Sequence, residues 1–77
     1  MTFHRKNWLG EILKKHRIDN NFSQEELAFN SGLDRTYISM LERGKRQPTL
    51  TTIFSISKAL NVSPSLLIKE VETIYLK

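Results

Sequence analysis

With 77 residues and no cysteine, the chain has room for one modest hydrophobic core, and a disulfide framework and the common zinc-finger patterns are excluded. The formal charge of +4 and a pI near 9.7 favour a polyanionic partner over an acidic one. No apolar run approaches the ~20 residues that span a bilayer and no signal-peptide core is visible, so a single cytoplasmic domain over residues 1–77, with no membrane partner, is expected.

Leu9, Ile12, Leu13 and His16 recur at i, i+3, i+4 and i+7, which predicts a first helix from about Lys6 to Asp19. His16 on this stripe reads as a core histidine, and Phe3 and Trp8 as packing residues. His4 and His16 lack metal-site spacing, so no metal and no cofactor are expected. The run "DNN" at 19–21 breaks the helix. Ser23 then stands as an N-cap, Glu26 closes a capping box, and Phe22 faces Leu27 as a hydrophobic staple, so a second helix starts at Gln24.

Gly32 supplies a left-handed turn about two turns later. Asp34 caps a third helix that starts at Arg35 and ends near Gly44, with Leu33 and Ile38 as its staple and no box, since N3 is Tyr37. "GKRQPT" is a loop. Ile53, Ile56, Ser57 and Leu60 mark a fourth helix; Ser63 as N-cap, Pro64 at N1 and a Val62–Leu67 staple start a fifth that runs to near the C-terminus. No stretch alternates with period two between turn signals, so the expectation is an all-α, compact five-helix domain.

On the third helix Ile38 and Leu41 mark the core side, while Thr36, Ser39, Met40 and Arg43 fall opposite, with Arg35 at the edge. Between Arg35 and Arg46 four basic residues meet one acid, Glu42. An exposed helix start carrying Arg, Thr and Ser suits the DNA major groove, where Arg pairs bidentately with guanine O6 and N7 and a hydroxyl meets other base edges. Arg35 is the best base-reading candidate, because a positive charge at a helix N-terminus otherwise opposes the helix dipole.

Residues 24–43, "QEELAFNSGLDRTYISMLER", resemble the helix-turn-helix of the repressor and Cro class, in the family often called XRE-like. With "ERGKRQPTLTTIFSISKALNVSP" the likeness covers roughly residues 7–69, and within the family it is most similar to the controller proteins of restriction-modification operons. The resemblance implies a homodimer that binds near-palindromic double-stranded DNA upstream of its own and the endonuclease gene. It implies base contacts for Arg35, Thr36, Ser39 and Arg46, and phosphate contacts for Gln24, Tyr37, Arg43, Lys45 and Gln47. Free amides at the start of the second helix agree with a phosphate at Gln24. The resemblance also pairs Arg17 with Glu42 between the first and third helices, both beside the core side of their stripes, where a charge wants a partner.

Glu25 and Glu26 suit the first turn of the second helix by capping and dipole alone. By analogy with relatives that activate transcription, they are also candidates for contact with RNA polymerase. Leu67, Ile68, Val71, Ile74 and Tyr75 span a wide sector of the last helix, and Phe54 lies off the fourth stripe, so a dimer interface is expected there. A prophage repressor or antitoxin-type regulator, and a helical protein-interaction domain, are the alternative readings. An enzyme is the weakest, since no nucleophile–base pair or phosphate-cradling loop is visible.

Overall fold

The computed structural model describes residues 8–76. Five helices follow in chain order, α1 (Trp8–Asp19), α2 (Gln24–Ser31), α3 (Arg35–Glu42), α4 (Leu50–Leu60) and α5 (Pro64–Tyr75), and no strand occurs among the described residues. The expected helix start at Lys6, and the roles expected of Phe3 and His4, lie outside the described residues.

Local chemistry sets both ends of these helices. The Ser23 hydroxyl accepts from Glu26 N–H at 3.0 Å while the Glu26 carboxylate accepts from Ser23 N–H at 2.8 Å, closing the capping box of α2. Asp34 accepts from Thr36 N–H at 3.0 Å, and Ser63 from Leu66 N–H at 3.2 Å with Pro64 in the first helical position. Thr49 caps α4 by accepting from Thr52 N–H at 3.2 Å, a start signal that the fourth stripe alone did not reveal.

The first four helices end in the same way. Asn21, Gly32, Gly44 and Asn61 take positive φ, and the next N–H in each case returns to a carbonyl five residues back, as Leu33 N–H does to Ala28 and Lys45 N–H to Met40. Glycine is the natural occupant, and asparagine the side chain that tolerates it best. At Gly44 this closure ends α3 at Glu42, two residues before the expected stop.

All five helices contribute to one core, formed by Ile12, Leu13, Leu27, Ala28, Ile38, Leu41, Ile53, Ile56, Leu60 and Leu67. Phe22, Leu33, Tyr37, Val62 and Val71 pack half-buried against it. Leu67 corrects one expectation: it is 0% exposed at the centre of the α5 inner face and has no surface to give a dimer interface. Its neighbour Ile68, one helical step of about 100° away, faces out instead.

Two consecutive residues in the last turn of α1 tie the bundle together. Arg17 Nε donates to Glu42 Oε2 at 2.6 Å and Nη2 to Oε1 at 3.1 Å, while Nη1 donates to the Phe22 carbonyl at 2.8 Å. His16 Nε2 lies 2.7 Å from Glu70 Oε1 on α5, so the expected core histidine is half-buried and polar-paired. Asn20 Nδ2 donates to the carbonyls of His16 at 2.8 Å and Leu60 at 3.4 Å, which brings in the end of α4. Trp8 and Tyr75 meet edge to face, with ring centroids 4.7 Å apart, at the far end of the α1–α5 pair.

Among the described residues, one buried side-chain group is unsatisfied. Ser57 is fully buried and its hydroxyl has no hydrogen-bond partner. Removing a desolvated, unpaired hydroxyl while improving helix propensity gives a net gain. Ser57→Ala is expected to stabilise the fold by about 1 kcal/mol, read as a raised urea midpoint.

Candidate nucleic-acid interface

The site is built on α2, the Gly32 turn and α3. A Cβ built at Gly32 (φ +71°) meets no atom within 4 Å, so backbone conformation and not space selects glycine there. Asp34 caps α3, which places Arg35 and Thr36 in its first turn, and both side chains are exposed. The Asp34 carboxylate also offsets the unfavourable position of the Arg35 charge on the helix dipole.

The rest of the expected reading face is less uniform. Ser39 and Met40 are half-buried, and Arg43, though exposed, folds back so that its Nε lies 3.4 Å from the Ser39 carbonyl. Tyr37 packs half-buried on the core, with the Arg46 guanidinium 5.8 Å from its ring centroid. That cation–π contact anchors the loop after α3. Lys45 and Gln47 are exposed in the same loop. Arg35, Arg43, Lys45 and Arg46 are all exposed between the start of α3 and the loop that follows it.

Gln24 is fixed more firmly than a surface glutamine. Its Nε2 donates to Glu42 Oε1 at 3.0 Å, so the Arg17–Glu42 pair also holds the first side chain of α2. Arg17, Ser23, Gln24, Glu25 and Arg35 line one open depression of about 430 Å³, which brings the starts of α2 and α3 to a common concavity. Two helix amino ends and the Arg35 guanidinium there make a surface suited to a phosphate backbone beside a groove. The Gln24–Glu42 bond was not legible beforehand, because it joins residues of two helices whose crossing no spacing rule gives.

The opposite character appears on α4 and α5. Phe54 (56% exposed), Ile68, Ile74 and Tyr75 are exposed and Val71 is half-buried. Leu50, 67% exposed and one turn before Phe54, and Leu76 extend this apolar surface beyond the residues singled out from the sequence. The i, i+4 spacing of Leu50 and Phe54 was the signal available for the former. Among the described residues no cluster of His, Asp or Glu could hold a metal ion, and no helix is long and apolar enough to cross a membrane.

Residues 13–67 match the family model described as helix-turn-helix. The control protein C.SmaI of Serratia marcescens is 48% identical over 66 residues, covering 84% of this chain and 79% of that one. The control protein C.BamHI of Bacillus amyloliquefaciens is 46% identical over 65 residues, covering 83% and 80%. The crystal structure of the restriction-modification controller protein C.AhdI from Aeromonas hydrophila superposes with a TM-score of 0.75 at 42% identity, covering 77% of this chain and 89% of that chain. With capped second and third helices flanking Gly32 and a match over most of its length, the chain belongs to the XRE-type helix-turn-helix family, a family of transcription regulators and not of enzymes, and is a homologue of the restriction-modification controller proteins.

Proposed function

We propose that this protein is the cytoplasmic controller of a restriction-modification operon, one domain that binds a near-palindromic operator upstream of its own and the endonuclease gene as a homodimer. The observation that carries the reading is the exposure of Arg35 and Thr36 on the first turn of α3, beside the amino end of α2. Arg35, Thr36, Ser39 and Arg46 read base edges; Gln24, Tyr37, Arg43, Lys45 and Gln47 position the protein on phosphates. Tyr37 acts partly by holding Arg46, and Gln24 offers a backbone amide as well as a side chain already oriented by Glu42.

Dimerisation uses the α4–α5 face through Phe54, Ile68, Val71, Ile74 and Tyr75, joined by Leu50 and Leu76 and without Leu67. A two-fold axis there sets the reading helices about 34 Å apart, one turn of B-DNA. Glu25 and Glu26 are exposed on α2, and an RNA polymerase contact by Glu25 is compatible with DNA binding by α3; the Glu26 carboxylate already serves the capping box.

Nuclease footprinting of the DNA upstream of the gene tests the assignment. A symmetric protected site is expected, and its absence overturns the controller role. Arg35→Ala should cost about 1–3 kcal/mol per base contact on that site and leave random DNA of equal length nearly unaffected. Equal loss on both would remove Arg35 as a reader.

A further inference from the structure

The outward face of α3 carries one apolar side chain among polar ones, and the DNA contacts assigned above do not use it. Arg35, Thr36, Ser39 and Arg43 are the polar residues of this face. Met40 comes four residues after Thr36 and three before Arg43, so these three share one side of the helix. Ile38 and Leu41, which enter the core, are 1% and 2% exposed, whereas Met40 is half-buried and is not among the side chains that pack on the core. Its backbone is fixed all the same, because its carbonyl accepts from Lys45 N–H at 2.8 Å where the chain leaves α3.

Core packing therefore does not account for a methionine at this position. A phosphate-contacting face has no use for one either, since a thioether donates no hydrogen bond to phosphate oxygen. The major groove offers a different partner. Its base edges present hydrogen-bond donors and acceptors and a single apolar group, the C5-methyl of thymine. An unbranched, polarizable side chain with three rotatable bonds adapts readily to such a small apolar target. Four helical residues advance about 6 Å, close to two base-pair steps of about 3.4 Å, so Met40 reaches a base about two steps beyond the one that Thr36 meets.

We propose that Met40 is a specificity-determining residue that reads the C5-methyl of one thymine in each half of the operator. The proposal rests on the assignment of α3 as the DNA-reading helix and deepens it. Arg35 and Thr36 select by hydrogen bonding, which is blind to a methyl group. Met40 adds selection by apolar burial, against cytosine and against any pyrimidine that lacks a substituent at C5.

Scanning the footprinted operator with deoxyuridine in place of thymidine tests it, because that exchange removes only the methyl group. For the wild type, substitution at one symmetric pair of thymines should weaken binding about fourfold per half-site, the equivalent of one buried methyl. Met40→Ala should bind the unmodified operator more weakly and no longer distinguish thymine from uracil at that pair. Met40→Gln, which keeps the length of the side chain but makes its end polar, should lose the distinction as well. Met40→Leu, apolar and similar in volume, should retain it. Arg35→Ala should also retain it while its affinity for the operator falls. Wild-type binding that no uracil changes overturns the proposal, and so does a Met40→Ala protein as sensitive to the pair as the wild type. A loss on Met40→Ala that is equal on operator and random DNA overturns it too, and places the side chain against the sugar–phosphate backbone. Failure of the wild type to select any site would remove the reading role of α3 itself, a result distinct from the others. Circular dichroism of the three Met40 variants, expected to match the wild type, shows that they are folded.

Discussion

Glu42→Ala is expected to destabilise the protein by about 3–5 kcal/mol, the effect of removing one partner from a buried ion pair. The Glu42 side chain is 3% exposed and that of Arg17 12%, so the guanidinium left behind has little access to water. For a domain of this length the whole folding free energy is about 4–12 kcal/mol, which makes the variant marginal at room temperature. Urea denaturation should show a midpoint lowered at nearly constant slope. The double change Arg17→Met with Glu42→Leu should recover most of the loss, because two desolvated charges and their mutual attraction nearly cancel. It should not recover operator affinity to the same degree, since Gln24 loses the carboxylate that orients its amide.

Ile38→Ala is expected to cost about 2–5 kcal/mol, through lost burial and the cavity left behind. Ile38 is 1% exposed and lies opposite Thr36 on α3, so it anchors this helix on the core. Ile38→Val removes one methylene and should cost about 0.5–1.5 kcal/mol. If the two variants were equally stable by urea denaturation, the packing at this position would be looser than the burial implies.

Much of the fold was legible because helix ends carry their own chemistry. Ser23 with Glu26, Asp34, Ser63 with Pro64, and Gly32 each state a boundary within a few residues, and each boundary stands in the structure. What was not legible depended on phase or on contacts between helices. Leu66, Leu67 and Ile68 form an unbroken apolar run, and only packing of α5 on the core decides that Leu67 turns in and Ile68 out. Ser39 lies opposite Leu41 on an ideal wheel yet is half-buried, because a two-turn helix has neighbours at both ends that a wheel omits. Tyr37 and Arg46 are nine residues apart on a helix and a loop, so their stacking follows from the Gly44 turn and from no periodicity.

The adjacency of His16 and Arg17 has a consequence for native-state hydrogen exchange. The last turn of α1 is held by α5 through Glu70, by α3 through Glu42 and by the end of α4 through Asn20. An amide in that turn becomes available to solvent only when several partners release together, so its protection should approach that of global unfolding. The C-terminal turn of α5, where Ile74, Tyr75 and Leu76 are exposed, opens without such coordination and should exchange orders of magnitude sooner in the monomer. Slowing of that turn with rising protein concentration is then a residue-level measure of assembly, recorded against an internal standard that the α1 turn provides.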